Sequence, residues 1–298
     1  MKRNLMCLVA LIALVAAQPG YAQDEEGRLR IIAFGAHPDD CEIKASGVAR
    51  MWAAQGHKVK FVSVTNGDIG HFEMAGGPLA RRREAEIQDC ARLLGIETEM
   101  LDNHDGELMP TLENRKAIAR LIREWQADIV LSPRPNDYHP DHRYTAILVQ
   151  DASFMVTVPN FTPTTPRVTR NPVFLYYADR FQKPNPFEPT IVVGIDAHSG
   201  PKYACMAALR SQFSEWNAWL DGYDVEVPVD EAGRVAYITR KFQERDAWVA
   251  DTYRDLLVAY YGAERGQAFD YAEAFEMSEY GSQPTREELK KLFPFFGE

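Results

Sequence analysis

Apolar runs alternate with amphipathic stretches along the first half of the chain. Short runs rich in β-branched residues predict buried strands at 29–34, 59–65 and 128–131. Apolar residues at helical spacing predict helices at about 42–55, 80–94, 112–125 and 141–155. The strand–helix–strand order implies parallel neighbouring strands with right-handed crossovers. The pattern therefore predicts an α/β fold with a mostly parallel sheet flanked by helices.

The pattern becomes less regular after residue 158. Residues 159–172 are rich in Pro and Thr and predict a loop. Further strands are expected at 173–177 and 190–195, and further helices at 201–219, 239–262 and 286–291. We expect one large domain over 23–281 with a helical C-terminal extension. The tail over 282–298 ends in Phe293-Pro294-Phe295-Phe296 and is expected to dock on that domain.

The first 22 residues have the order of a secretory signal peptide. Lys2 and Arg3 precede an apolar stretch at 5–17, which is short for a membrane span, and Gly20-Tyr21-Ala22 provides a small-residue cleavage site. We expect cleavage after Ala22 and an exported protein, periplasmic if the source is Gram-negative. The alternative is an uncleaved N-terminal anchor. No later stretch predicts an integral membrane span.

Net charge limits the classes of partner that the protein can bind, and cysteine spacing limits the roles of its thiols. The formal net charge of −10 repels polyanions, which argues against nucleic acid as a general partner but leaves room for a local basic pocket. Beyond the leader, Cys41, Cys90 and Cys205 are widely spaced and form no C-x-x-C pair. We therefore expect neither a thiolate zinc site nor a disulfide framework. Cys90 is expected in the core, and a nucleophilic role for Cys41 is disfavoured.

Two polar clusters follow predicted strands and carry the candidate chemistry. His37 and Asp40 lie in a tight turn after the first strand, and His142 follows the strand at 128–131. Ligands of open α/β sheets gather beyond the carboxyl ends of the strands. Two imidazoles and one carboxylate suit Zn²⁺ with one position open, although Fe²⁺, Co²⁺ or Mn²⁺ accept the same ligands.

The remaining groups of these clusters predict acid–base chemistry. Asp39 adjoins a ligand and is placed to take a proton from water as a general base. His139 lies three residues before His142, so both side chains can converge. Held as an imidazolium by Asp141, His139 is expected to stabilise an oxyanion and to protonate a leaving amine.

Several other residues are candidates for the site or its border. The Gly-rich stretch 66–78 is either a border of the active site or a plain surface loop. Aromatic residues after 158 either line a sugar site or belong to the core; they are Phe161, Phe174, Tyr176, Tyr177, Trp216 and Trp219. His71, His104 and His198 lack a partner motif and are expected to be structural.

The motifs A-H-P-D-D-x-E at 36–42 and H-P-D-H at 139–142 resemble the PIG-L/LmbE superfamily of zinc-dependent N-deacetylases. The likeness spans about 29–212 and has further matches, which are Thr65-Asn66-Gly67-Asp68, Arg83-x-x-Glu86, Asp105-Gly106 and Lys202 with Ser211-Gln212. The resemblance implies a Rossmann-like domain and hydrolysis of an N-acetyl group. It also implies zinc on His37, Asp40 and His142, with Asp39 as base, His139 at the oxyanion and Asp141 orienting His139.

The same resemblance implies two substrate-binding residues. Arg83 is expected to contact substrate hydroxyls or phosphate, with Asp105 as a second candidate. The alternative for Arg83 is a helix-surface charge beside Arg81 and Arg82. Leu209 departs from the family, which often has a histidine there, and this puts substrate inferences from that segment in doubt.

Together these features predict an exported, metal-dependent hydrolase that removes the N-acetyl group from an amino sugar or glycoconjugate. Its partner is expected to be a small-molecule or oligosaccharide N-acetylated substrate. One alternative is a zinc amidase acting on a larger N-acyl or thiol-conjugate amide. Another is a sugar-binding protein that keeps the metal ligands without turnover.

Overall fold

A computed structural model describes residues 27–222 and 226–297 of the 298-residue chain, so the predicted signal peptide lies outside the described residues. This part of the chain contains one seven-stranded sheet. Its strands are β1 (Arg30–Gly35), β2 (Lys58–Ser63), β3 (Glu97–Met100), β4 (Ile129–Ser132), β5 (Val173–Tyr177), β6 (Ile191–Gly194) and β7 (Ala272–Gly281). The order across the sheet is β3-β2-β1-β4-β5-β7-β6.

The neighbouring strands from β3 to β5 are parallel, whereas β7 is antiparallel to both β5 and β6. The chain winds outward from β1 to β2 and β3, then returns to place β4 on the other side of β1. This reversal creates a crevice at the carboxyl ends of β1 and β4, where open α/β sheets bind ligands. The predicted α/β fold with a mostly parallel sheet flanked by helices is confirmed.

Ten α-helices cover the sheet in the described part of the chain. They are α1 (Asp40–Ala54), α2 (Gly77–Leu94), α3 (Leu112–Trp125), α4 (Pro140–Met155), α5 (Asp196–Ala208), α6 (Asn217–Asp221), α7 (Glu231–Thr252), α8 (Arg254–Tyr261), α9 (Ala263–Ala268) and α10 (Arg286–Leu292). A π-helical segment, Ser211–Trp216, precedes α6, and a 3₁₀ turn, Pro294–Gly297, follows α10. Gly95 ends α2 in the left-handed conformation, with φ of 73°.

Alternate side chains of β1 enter two different cores. Ile31 and Ala33 pack with α1, α2 and α5, while Ile32 and Phe34 pack with α3 and α4. A strand buried on both faces must be apolar throughout, which explains the continuous apolar runs in the sequence. None of the described helices is both long enough and apolar enough to cross a membrane.

Strand β7 lies in a segment for which the sequence predicts no strand. Its segment contains three glutamates, so no continuous apolar run marks it. Glu273 is nevertheless buried, because Lys202 donates a hydrogen bond to it over 2.9 Å. A long-range ion pair thus allows a charged segment to occupy the sheet interior.

The predicted helix at 201–219 is interrupted. It ends as α5 at Ala208 and resumes as α6 only after the π-helical segment. The backbone N–H of Ser211 donates to the carboxylate of Glu86 on α2, over 3.1 Å to each oxygen. This N–H is therefore diverted from the helical ladder to a side chain of another element.

The expectation that the cysteines form no disulfide is wrong for one pair. Cys90 on α2 is bonded to Cys205 on α5, and 115 positions separate them along the chain. Wide spacing conceals such a pair in a sequence, because only the packing of α2 against α5 brings the two thiols together. Cys90 is buried as expected.

The C-terminal segment packs on the large domain. Trp52 of α1 contacts the rings of Phe293 and Phe295, with centroids 5.0 and 5.8 Å apart. The indole N–H of Trp52 donates to the carbonyl oxygen of Leu292 over 2.9 Å. Residues 292–296 therefore belong to the same core as α1.

Candidate metal centre and active site

Two turns at the switch point of the sheet deliver the polar clusters. After β1, the backbone N–H of Asp39 donates to the carbonyl oxygen of His37 over 2.8 Å, and α1 begins at Asp40. After β4, α4 begins at Pro140 with His139 as its N-cap. Because β1 and β4 are adjacent and parallel, the two clusters face each other across the crevice.

The side chains of three residues converge at the centre of this crevice. His37 Nδ1 lies 3.2 Å from His142 Nε2, and the latter lies 3.4 Å from Asp40 Oδ1. Asp40 Oδ2 lies 3.7 Å from His37 Nδ1. Ligands about 2.0–2.2 Å from a tetrahedral zinc ion are separated by roughly 3.3–3.6 Å from one another. The donor set therefore fits a zinc-sized cation.

Carboxylates hold the outer nitrogens of both imidazoles. His37 Nε2 lies 3.0 Å from Asp105 Oδ1 and 3.3 Å from Asp141 Oδ2, while His142 Nδ1 lies 2.9 Å from Asp137 Oδ1. An imidazole that donates its outer N–H to a carboxylate turns an unprotonated inner nitrogen toward the metal position. Such carboxylates are typical second partners of metal-binding histidines.

The imidazoles and carboxylates of this cluster stabilise one another's charged forms. Burial by itself lowers the pKa of an imidazole, but the surrounding carboxylates outweigh it and raise the pKa of His37 and His142. Burial raises the pKa of a carboxyl, yet the charges of His142 and His37 and a backbone N–H lower that of Asp40. Asp40 Oδ2 accepts the backbone N–H groups of Ala36 and His37 over 2.8 and 3.0 Å. The Oδ1 atom thus remains directed at His142.

Asp39 lies beside this donor set as a buried carboxylate. Its Oδ2 accepts a hydrogen bond from Gln212 Nε2 over 2.7 Å. Burial and the nearby charge of Asp40 raise the pKa of Asp39 to about 6. A carboxylate with such a pKa can accept a proton and release it again near neutral pH.

The R-x-x-E motif of α2 holds the segment that carries Gln212. The Ser211 hydroxyl donates to Glu86 Oε2 over 2.6 Å. Arg83 Nη2 donates to the side-chain oxygen of Gln212 and to the carbonyl oxygen of Gly70. Arg83 is 2% exposed, so its alternative interpretation as a helix-surface charge is wrong. Its substrate contact stays a prediction, because the bonds shown link it to protein atoms.

The expected pairing of His139 with the carboxylate of Asp141 is corrected by the structure. His139 Nδ1 accepts the backbone N–H of Asp141 over 3.2 Å, as a helix N-cap. The Asp141 carboxylate accepts the N–H of Gly106 over 2.7 Å and contacts His37 instead. Burial, and then the charges of His37 and His142, lower the pKa of His139. The hydrogen bond accepted at Nδ1 places a ring proton on Nε2, and the lowered pKa favours the neutral ring over the imidazolium.

The other predicted residues have specific places. Asp105 lines the cavity and supports His37, so its contact with substrate stays a prediction. His71 bonds to Glu215 over 3.0 Å and His104 to Asp68 over 2.7 Å, as expected for structural histidines. The Cys41 thiol is buried against Tyr177, and burial raises its pKa well above the usual range. A thiol with so high a pKa is a poor nucleophile, in agreement with the expectation for Cys41.

A cavity of about 690 Å³ opens over the donor set. Ile69 and Gly70 line it, so the Gly-rich stretch borders the site. Tyr177 and Trp216 also line the cavity, whereas Phe174 and Tyr176 lie in buried strand positions. Two site residues were missed from the sequence. Asp137 could have been found as a carboxylate shortly before the H-P-D-H motif. Gln212 lies in the Ser211-Gln212 segment that resembles the family, but nothing in the sequence indicates its hydrogen bond to Asp39.

Comparisons with known proteins identify relatives of this chain. The model of the PIG-L family, described as GlcNAc-PI de-N-acetylase, matches residues 32–153. The chain is 32% identical over 203 residues to diacetylchitobiose deacetylase of Thermococcus kodakarensis, which covers 64% of this chain and 73% of that protein.

Solved structures share the fold. The N,N'-diacetylchitobiose deacetylase of Pyrococcus horikoshii superposes with a TM-score of 0.65 at 24% identity, over 87% of this chain and 86% of the other. The 4-carboxy-2-hydroxymuconate hydratase of Pseudomonas putida superposes with a TM-score of 0.65 at 20% identity, over 86% and 99%. Likeness at these identities establishes the architecture alone. Both motif clusters lie inside the matched segment, and the chain belongs to the PIG-L family of de-N-acetylases, enzymes that hydrolyse the C–N bond of an amide.

Proposed function

We propose that the protein is an exported, zinc-dependent N-deacetylase that removes the acetyl group from an N-acetylated amino sugar or glycoconjugate. The observation that carries this proposal is the convergence of His37, Asp40 and His142: His142 Nε2 lies 3.2 Å from His37 Nδ1 and 3.4 Å from Asp40 Oδ1. The relative from Thermococcus kodakarensis is a deacetylase of diacetylchitobiose, an N-acetylated sugar. An N-acetylated sugar is therefore the substrate class we assign to this chain.

His37, Asp40 and His142 would hold the metal. Two imidazoles and a carboxylate with one open position suit Zn²⁺, and the same set accepts Fe²⁺, Co²⁺ or Mn²⁺. When bound, such an ion polarises the amide carbonyl and lowers the pKa of water from about 15.7 to about 7. The protein contributes the fixed positions of these donors, which Asp105, Asp137 and Asp141 maintain from outside.

Asp39 is the base of the proposed reaction. It takes a proton from the attacking water as the new C–O bond forms at the acetyl carbon. Gln212 fixes one of its oxygens and leaves the other for that proton. When the C–N bond breaks, the same proton is available to the leaving amine, so that water and amide yield acetate and amine.

His139 supplies a neutral donor to the oxygen that gains negative charge. Its Nδ1 is occupied by the backbone N–H of Asp141, so the ring proton lies on Nε2. His139 lines the cavity and packs edge-on against His37, with centroids 4.5 Å apart. A preorganised donor of this kind stabilises an acyl-transfer transition state by about 2.7–4 kcal/mol.

Export is proposed from two features of the chain. Residues 1–22 have the pattern of a signal peptide. The Cys90–Cys205 disulfide provides separate support, because disulfides persist mainly in oxidising compartments such as the periplasm or the extracellular space.

The proposal is tested by acetate release from the purified mature protein. The panel contains N-acetylglucosamine, chitobiose-type oligomers and N-acetylated glycoconjugates, each with chelator and with zinc restored. We expect acetate release that chelator abolishes and zinc restores. Asp39→Asn is expected to bind zinc without turnover, while Asp255→Asn, an exposed acid on α8, provides the matched control.

Two outcomes would contradict the proposal. Release of a longer acid, with no acetate from any sugar, would favour the larger-amide hydrolase; the 690 Å³ cavity has room for such a group. Sugar binding with no product, unchanged in Asp39→Asn, would favour a binding protein.

A further inference from the structure

The cavity extends beyond the metal donors to a wall formed by three separate elements. Lys44 belongs to α1, Arg180 follows β5, and Arg245 and Trp248 belong to α7. Except for Lys44, these residues lie outside the segment 32–153 that matches the family model. This wall therefore comes mainly from the C-terminal part of the chain.

Lys44 places an amino group close to the metal donors. It lies one helical turn after Asp40 on the same face of α1, which is about 6 Å along the helix axis. Its Nζ donates to the carbonyl oxygen of Ala178 over 2.8 Å. Among the described residues, no carboxylate forms a salt bridge with it. Burial and the charge of Arg245 lower the pKa of Lys44 to about 7.

Arg245 is half-buried in the cavity wall, and no carboxylate of the described residues forms an ion pair with it. Within residues 27–222 and 226–297, its guanidinium forms neither a hydrogen bond nor an ion pair. The adjacent Asp246 points elsewhere and accepts from Lys202 Nζ over 2.9 Å and from the Tyr203 hydroxyl over 3.0 Å. Glu273 is likewise bound to Lys202. The nearest acids are thus committed to a separate network.

Two of the acids that line the cavity, Asp179 and Asp137, have partners as well. Arg134 holds Asp179 with two hydrogen bonds of 2.7 and 2.5 Å, and Asp137 holds His142. Arg180 stacks on the ring of Trp248 at 4.3 Å, which leaves its charge without a carboxylate in the described structure.

Two guanidinium groups and the amine of Lys44 thus line this wall, within a chain whose net charge is −10. Like charges in a partly buried cavity oppose one another, and removing them from water adds to this cost. A bound anion would offset both effects. The arrangement is hence suited to an anionic ligand.

We propose that Lys44, Arg180 and Arg245 form a subsite for an acidic group, a carboxylate or a phosphate, carried by the N-acetylated substrate. A guanidinium presents a planar fork of N–H donors that matches either anion. The position of Lys44, one turn from Asp40, places the acid on the sugar or its attached group and not on the acetyl group. This inference rests on the proposed N-deacetylase function and narrows its substrate to an acidic amino sugar or glycoconjugate.

The test compares neutral and acidic substrates of similar size. N-Acetylglucosamine is the neutral member, N-acetylmuramic acid carries a carboxylate, and N-acetylglucosamine 6-phosphate carries a phosphate. The zinc-loaded wild type is compared with Arg245→Gln and Arg245→Lys. Arg240→Gln is the matched control, because Arg240 lies on the same helix but is exposed and outside the cavity wall. Acetate release gives kcat/KM for each pair.

We expect a higher kcat/KM for an acidic substrate in the wild type. Arg245→Gln is expected to lower the ratio of acidic to neutral kcat/KM by about 10- to 100-fold, since a charge-assisted hydrogen bond is lost. The ratio of acidic to neutral kcat/KM is expected to fall less in Arg245→Lys and to stay at the wild-type value in Arg240→Gln. The acidic substrate whose kcat/KM falls more in Arg245→Gln identifies the preferred anion as carboxylate or phosphate. Equal losses on acidic and neutral substrates would overturn the proposal.

Calorimetric binding to the zinc-loaded Asp39→Ala protein separates this inference from the proposed function. Arg245-dependent binding of an acidic sugar, with no acetate released from any substrate by the wild type, would support the subsite and refute the deacetylase. Deacetylation of neutral sugars, with acidic sugars neither bound nor turned over better, would support the deacetylase and refute the subsite.

Discussion

Gln212 donates a hydrogen bond to Asp39 over 2.7 Å, although 173 positions separate the two residues along the chain. Its side-chain oxygen is held in turn by Arg83, so the amide cannot flip without losing that bond. Arg83 and Glu86 therefore act on the proposed base through Gln212 and the π-helical segment. We assign Gln212 as a positioning residue for Asp39.

Gln212→Glu is expected to move the pH profile of the enzyme. Asp39 acts as a base only when deprotonated, so kcat/KM falls as the pH drops through its pKa. A second carboxylate beside Asp39 raises this pKa further, which moves the acid limb to higher pH; a shift of about one unit lowers the rate about tenfold on that limb. Kinetics across a pH series measure the shift. Gln88→Glu, at an exposed site on α2, is the control. If the acid limb of the pH profile stays in place in Gln212→Glu, Gln212 does not position Asp39.

Asp137→Asn is expected to weaken metal binding without loss of the fold. Asp137 contacts the outer nitrogen of His142 over 2.9 Å. Loss of such a partner typically lowers metal affinity by about 10- to 100-fold. Zinc competition with a chromogenic chelator measures this directly. Equal affinities in Asp137→Asn, wild type and the Asp255→Asn control would show that the carboxylate does not support His142.

His139→Ala is expected to lower kcat by about 10²–10³-fold while zinc content is retained, because a donor to the developing oxyanion is lost. The measurement pairs kcat with metal analysis of the same sample. His139 also lies in one geometric group of donors with His37 and His142. Loss of zinc in His139→Ala would therefore identify His139 as a ligand and end the oxyanion assignment.

The convergence of the proposed metal donors could be predicted from the sequence, whereas several of the contacts around them could not. His37, Asp40 and His142 stand in short clusters directly after strands, and adjacent parallel strands bring such clusters together. The bond between Gln212 and Asp39 depends on how α2 packs against the segment at 211–216, which no local pattern encodes. The orientation of His139 was misjudged for a similar reason, because a backbone N–H took the place expected for a carboxylate.

Removal of the Cys90–Cys205 disulfide is expected to lower stability. The bond closes a loop of more than one hundred residues and links α2 to α5. Loss of such a crosslink typically lowers the free energy of unfolding by about 2–4 kcal/mol. Denaturant unfolding of the Cys90→Ser/Cys205→Ser double variant measures the effect, with Cys41→Ser for comparison because Cys41 is a free thiol. A double variant as stable as the wild type, with the bond verified in the latter, would contradict this expectation.

Lys202→Met is expected to destabilise the fold strongly without altering the chemistry. Lys202 is buried between Asp246 and Glu273, 2.9 Å from each, and Glu273 also accepts the N–H groups of Gly47 and Val48 in α1. Removing the cation leaves two buried carboxylates without a counter-charge, which costs about 3–5 kcal/mol. Denaturant unfolding should reveal this loss, while Lys58→Met, at an exposed strand end, should change stability little.

A triple variant separates charge from packing in the same network. Adding Asp246→Asn and Glu273→Gln to Lys202→Met removes the uncompensated charges, so part of the lost stability should return. Below the unfolding transition, each of these proteins should keep its zinc, because Lys202 does not line the cavity. If Lys202→Met costs no more than Lys58→Met, the buried ion pairs do not stabilise β7 in the sheet. Apolar packing alone would then hold β7 in the sheet.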